Sequence, residues 1–232
     1  MTAEEAPVTT SQIDERAALA STPLAAAMRE GSQAEHEAAE HSPFFEELLG
    51  GRVGEAGYAA YLQRLLPVYE ALEETARARR DDAAVAAVYD PALERLDRLR
   101  ADLEHWAPGA GPVDSPAATA YASRVREAAD EWAPLFVAHH YTRYLGDLSG
   151  GQAIGRLMTR HFELEPGVGV AFYDFPEIPK PKLFKDAYRA RLDALGLSED
   201  EIARVVVEVR RAFNLNQAVF VELGEQLEAF RR

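Results

Sequence analysis

The chain has 232 residues, enough for one domain with a substantial core or at most two small ones. An apolar fraction of 47% and a charged fraction of 28% are those of a soluble globular protein, and no run of about 18 uncharged apolar residues exists to span a membrane. The formal net charge of −14 argues against nucleic acid and anionic membrane as partners, while zero cysteines exclude disulfides, thiolate metal sites and cysteine nucleophiles.

Residues 1–20 mix Thr, Ser, Glu and Ala without sustained periodicity and read as a mobile acidic tail, leaving 21–232 as one domain. The opening MTAEEAPVTTSQIDER lacks the basic-then-apolar order of a secretory signal, and with the missing cysteines this points to the cytoplasm. From Pro23 the segment LAAAMREGSQAEHEAAEHS is rich in helix formers and reads as one helix. Ser42-Pro43 marks a boundary, after which FFEELLGG forms a short helix ended by Gly50 and Gly51. Glu55 to Arg80 is a long helix with Tyr58, Tyr61, Leu62, Leu65, Leu66, Tyr69 and Leu72 on its apolar side, and Pro67 predicts a kink within it. Asp90-Pro91 starts a helix through PALERLDRLRADLEHW, and Ser115-Pro116 another that ends near Glu127.

Val137 to Arg160, VAHHYTRYLGDLSGGQAIGRLMTR, reads as helix at both ends. Gly146, Gly150 and Gly151 interrupt the middle, each costing about 1 kcal/mol against alanine in a helix interior. Glycines alone read as close helix–helix packing, but such a run also offers bare backbone to a ligand, with the Asp147 carboxylate in the same gap. FELEPGVGVAFYDFPEIPKPK then forms a long irregular connection, Leu183 to Leu195 a helix stopped by Gly196, and Ser198 with Glu201 a capping box for the last long helix. With no strand-like alternation of useful length, the fold class is all-α around one core.

Six histidines are present, and any one taken alone is an ordinary core or surface histidine. His36 differs by its surroundings. Ala34, Ala38 and Ala39 leave room for a flat ligand, and Glu40, four residues on, shares its face. A metal-bound imidazole gives its second N–H to an acceptor, a role open to Glu40; the plainer alternative is a solvent-facing His–Glu pair.

His36 and Glu40 followed by SPFFEELL resemble the proximal helix of the haem oxygenases, and YLGDLSGGQ resembles their distal helix. VYEALEE, YDPALERLDRLRADL, VAHHYTRY, FKDAYRARL and AFNLNQAVF are similar to further segments of that family, in its order and spacing, over residues 22–224. The resemblance implies a single-domain helical bundle with haem between a proximal helix and a kinked distal helix. His36 is then the proximal iron ligand with Glu40 behind it, and Gly146 and Gly150 bring bare backbone against the porphyrin. Gly151 shares that role or serves the kink alone. Asp147 becomes the distal carboxylate that orders water beside bound O2, supported by Tyr69, Thr142, Arg143 and Asn216; the plainer alternative for these four is ordinary buried polar bonding, which for Arg143 is a helix ion pair with Asp147. Lys185, Arg189 and Tyr141 match propionate-binding positions, Arg29 stands where relatives often carry lysine, and Phe213 and Phe45 pack the haem edge. Lys180, Lys182 and Arg191 either help dock an acidic electron donor or form a solvated surface.

The activity implied is that of a monooxygenase for which haem b is both substrate and prosthetic group. It would use O2 and electrons from an external reductase or ferredoxin to give biliverdin, favouring IXα, with CO and Fe2+, as a monomer. A non-catalytic haem-binding or storage protein on the same fold is the alternative, and retention of Asp147 with the whole glycine set argues against it. A di-iron carboxylate oxidase would need two Glu-x-x-His pairs. The nearest approach here is a single Asp102–His105 in ADLEH.

Overall fold

The structure, a computed structural model, describes residues 22–165 and 167–232, so the expected tail over residues 1–20 lies outside the described residues. Among the described residues all regular structure is helical apart from one isolated antiparallel bridge, Val53 to Arg231. In chain order the helices are α1 (Leu24–Gly31), α2 (Gln33–Glu40), α3 (Pro43–Leu49), α4 (Glu55–Ala78), α5 (Ala83–Val88), α6 (Leu96–Trp106), α7 (Pro116–Glu131) and α8 (Ala133–Gly146). A π-helical turn, Asp147–Gly151, leads into α9 (Gln152–His161), followed by α10 (Pro181–Asp193), α11 (Glu199–Gly224) and α12 (Leu227–Phe230). Short 3-10 turns lie at Pro91–Leu93 and Ala171–Tyr173.

One continuous core joins these elements. Tyr58, Leu62, Leu65, Tyr69 and Leu72 of α4 pack with Tyr121 and Val125 of α7, Phe136 and Val137 of α8, and Val205, Val209 and Phe220 of α11. α4 runs through Pro67 as a single helix, and α11 opens with the expected capping interaction, the Ser198 backbone N–H donating to Glu201 Oε2 at 2.8 Å. Gly51, at φ +68°, ends α3 in the left-handed region that favours glycine.

Four boundaries differ from the sequence reading, two of them for a tertiary reason. The expected single helix from Pro23 breaks at Ser32, whose hydroxyl donates back to Met28 O at 2.7 Å. There Gly31 lies so close to α11 that a Cβ on it would stand 2.4 Å from Val206 Cγ1, and Arg210 donates to its carbonyl. Arg29 and His36 therefore belong to different helices, although in one continuous helix their seven-residue spacing would put them two turns apart on one face. The helix expected from Asp90 begins only at Leu96, because Glu73, buried on α4, accepts the backbone N–H groups of Arg95 at 2.5 Å and Leu96 at 2.8 Å. A cap supplied by another helix leaves no local signal. α7 continues to Glu131, and α5, which the sequence reading lacks, starts on the Asp82 side chain, an acceptor for Ala84 N at 2.8 Å.

Candidate active site

α1, α2, α3, α4, α8, the π-turn, α9, the 3-10 turn Ala171–Tyr173, α10 and α11 line a cavity of about 560 Å³, within the range of roughly 300–1,000 Å³ usual for small-molecule sites. Its lining brings together Arg29, His36, Glu40, Phe45, Tyr141, Thr142, Arg143, Gly146, Asp147, Gly150, Gly151, Arg189, Phe213 and Asn216. Residues spread over some 190 positions of sequence thus converge on one space.

The glycine run does not stop the helix. Gly146 and Gly151 have ordinary right-handed backbone angles, and the chain passes through the run as a π-turn. Backbone freedom is therefore not what these glycines supply. Among the described residues no neighbouring atom lies within 4 Å of where a Cβ on Gly146 or Gly150 would stand, so neither glycine serves a helix–helix contact between them, and their bare faces look into open space. Gly151 differs: its Cβ would come 3.2 Å from Tyr173 Cδ1, a packing contact.

Asp147 is buried at the cavity wall, and Tyr69 O–H donates a short hydrogen bond to its Oδ2. Arg143 Nε–H donates to Tyr69 Oη at 3.1 Å and Nη1–H to Asn216 Oδ1 at 2.5 Å, with Nη2 3.6 Å from Asp147 Oδ1. Burial raises the Asp147 carboxyl above the ordinary carboxylate range, and the Arg143 charge and the Tyr69 hydrogen bond partly oppose that rise. Thr142 stands apart from this chain. Its hydroxyl donates to Ala138 O at 2.8 Å within its own helix while the side chain lines the cavity, where the oxygen keeps acceptor capacity.

His36 on α2 is half-exposed and meets the Phe213 ring edge-on at 5.3 Å. Its Nδ1 lies 3.6 Å from Glu40 Oε2, an ion-pair distance longer than a hydrogen bond. Phe45 stacks on Phe220 at 4.9 Å. Arg29 and Arg189 both act on the Tyr141 hydroxyl, which burial raises and their charges lower. Lys185 Nζ donates to Ser149 Oγ at 2.9 Å, which ties α10 to the π-turn beside the cavity. Burial and the neighbouring Arg189 lower the Lys185 ammonium below its usual value.

Of the cations considered for docking, Lys182 is exposed and pairs with Asp186. Arg191 is instead structural: its Nε–H donates to Ala87 O at 2.6 Å, joining α10 to α5. Ser149, Tyr61, Tyr173 and Phe220 also line the cavity and were not singled out from sequence. Tyr173 belongs to the irregular connection, where no periodicity points to a face. Among the described residues no group of three or more His, Asp and Glu side chains is placed to hold a metal ion. No helix there is long and apolar enough to cross a membrane.

The family model described as Heme oxygenase matches residues 22–222. A heme oxygenase 2 of Synechocystis is 37% identical over 217 residues, 90% of this chain and 86% of that protein. The heme oxygenase 1 of Rattus norvegicus is 36% identical over 89% of this chain and 72% of that protein. Among solved structures, heme oxygenase-2 from Synechocystis in complex with heme and NO superposes with a TM-score of 0.84 at 36% identity, covering 90% of this chain and 88% of that one. The Leptospira interrogans heme oxygenase gives 0.83 at 35% identity, covering 87% and 100%. A helical bundle built around one slot, with a pinned carboxylate beside two bare glycines, and likeness along nearly its whole length place this chain in the haem oxygenase family.

Proposed function

We propose that the cavity takes haem as substrate and prosthetic group, with His36 as the iron ligand and Asp147 as the distal carboxylate. The residues fit such a group. Bare backbone at Gly146 and Gly150 admits an aromatic plane, Phe45 and Phe213 give apolar walls, and Arg29, Arg189 and Tyr141 suit the two propionates, with Lys185 alongside. Glu40 lies 3.6 Å from Nδ1 of His36, on the side where it would accept that N–H once the two close to hydrogen-bond distance, which would leave Nε2 for the iron.

As a haem oxygenase the protein cleaves haem oxidatively to biliverdin, with CO and Fe2+ released; the clamp residues favour the IXα isomer. Bound haem supplies the iron that takes O2 and the ring that is oxidised, with electrons from a ferredoxin or an NAD(P)H-dependent reductase. The chain supplies placement and protons. With haem bound, Asp147 would hold water in the cavity, and Tyr69 fixes one carboxylate oxygen so that the other can do so. Arg143, bonded to Tyr69 and Asn216, keeps that pair from turning. Burial raises the proton affinity of Asp147, which suits a group that must hold and pass a proton.

The observation that carries this reading is the buried, pinned Asp147 beside two glycines that face open space. A haem carrier needs only His36 and the cations. The test loads wild-type and Asp147→Ala protein with haem, supplies reductant under air, and follows biliverdin absorbance and CO. Haem binding by both with product formation lowered about 10²-fold or more in the variant is expected. Equal rates would remove Asp147 from the chemistry. Tight binding without product in either protein would establish a carrier.

A further inference from the structure

The glycine run has a second face. A Cβ on Gly155 would stand 2.9 Å from Tyr173 Cβ, and one on Gly151 3.2 Å from Tyr173 Cδ1. Tyr173 therefore sits in a notch left by two absent side chains. Gly146 and Gly150 bare the same run towards the cavity. Tyr173 reaches the cavity lining at the edge of this run, and where the glycines lie between its ring and the slot the wall is close to one backbone thick, with few side chains able to absorb a displacement.

Tyr173 is not held by its own helix. It ends the 3-10 turn Ala171–Tyr173, whose first two backbone N–H groups, at Ala171 and Phe172, donate to Oδ1 and Oδ2 of Asp102, both at 2.8 Å. Asp102, on α6, is only 1% exposed, and one turn on Trp106 Nε1–H donates to Gly169 O at 2.7 Å. The turn also reaches the catalytic carboxylate. The Phe172 ring meets Tyr69 edge-on at 5.0 Å, and Tyr69 donates to Asp147. The element thus touches the distal machinery twice, at the glycine wall and behind the Asp147 donor.

We propose that Tyr173, seated in the Gly151–Gly155 notch on a turn anchored by Asp102, is the buttress that sets the width of the haem slot and the reach of Asp147. This rests on the reading that haem occupies the cavity. Tyr173 and Asp102 are positioning residues: Asp102 acts through the turn it holds, and Tyr173, although its side chain also reaches the cavity lining, acts through the glycine wall it packs against. An ionised carboxylate suits the anchor because it accepts on both oxygens, whereas an asparagine would turn an NH2 group towards one of the two N–H donors.

Two readouts test the buttress. Without haem, amide hydrogen exchange over residues 146–152 should quicken about tenfold in Tyr173→Ala and Asp102→Asn. It should stay at the wild-type rate in Tyr173→Phe, which keeps the ring, and in Ser198→Ala, which lowers stability at a distant helix cap. With ferrous haem bound, the affinity for a bulky alkyl isocyanide is measured against that for CO. Tyr173→Ala should favour the bulky ligand several-fold, and Gly155→Ala, which wedges the wall inward, should disfavour it several-fold. Unchanged exchange in both loosening variants, or a ligand ratio that moves the same way in Tyr173→Ala and Gly155→Ala, would overturn the proposal. A chain that takes up no haem would sink the haem reading, and the exchange data would then decide the buttress by themselves.

Discussion

Tyr69 does two jobs with one hydroxyl, donating to Asp147 and accepting from Arg143, so removing that oxygen has a readable consequence. Its hydrogen bond is one of the influences that lower the Asp147 carboxyl against the larger effect of burial. Tyr69→Phe should push that carboxyl higher still, and the acid limb of the rate–pH profile should move to higher pH. The variant also leaves a buried charged acceptor with one donor fewer, a loss of about 1–3 kcal/mol in thermal unfolding. A profile that stays in place while stability falls would mean that Asp147 does not titrate in the rate-determining step. His36 shows the limit of residue-by-residue reading. Its helix, small neighbours and nearby Glu40 were all legible, but the 3.6 Å gap to Glu40 was not, because i to i+4 spacing puts two side chains on one face without fixing their rotamers.

At the scale of elements, the glycine run is a helix that accepts a stability cost to keep one face bare. Gly150 has helical surroundings and empty space where a Cβ would go. Gly150→Ala should therefore raise stability by up to about 1 kcal/mol while weakening haem binding, since the new methyl enters the slot. Calorimetry and haem titration on the same preparation check both halves; unchanged haem affinity would place the ring away from this face. Helix type and order over most of the chain were legible from periodicity, proline and glycine signals, and the capping box at Ser198 formed as read. The breaks at Ser32 and before Leu96 were not, because the α11 contact at Gly31 and the Glu73 cap come from distant sequence. The same holds within the site. The motif residues could be picked out, whereas Tyr173 could not, because its role arises from a turn that α6 holds in place.

Over the whole molecule, a net charge of −14 must coexist with a substrate that carries two carboxylates. Part of the internal charge is spent on structure. Burial alone would raise the carboxyl of Glu208, but hydrogen bonds from His139 and Arg124 hold it at about 2. Stability from this depressed group is present above its unfolded value and lost as pH falls through about 4.5 towards 2, so the difference in unfolding temperature between wild type and Glu208→Gln should shrink over that window. The cations left to face the cavity are few, which gives each more influence over how a dianionic ring lies in its plane. Arg189 and Arg29 act together on Tyr141 at one part of the cavity, and Lys185 is fixed beside it through Ser149. Replacing Lys185 and Arg189 together by alanine removes two positive charges from α10 and frees the π-turn at Ser149. Haem should then bind more weakly and in more than one rotation, so that different meso carbons face Asp147. Chromatography of the products should show mixed biliverdin isomers where wild type gives one. A single unchanged isomer from the double variant would assign the orientation to the walls around Phe45, Phe213 and the glycine run, with the charges governing affinity alone.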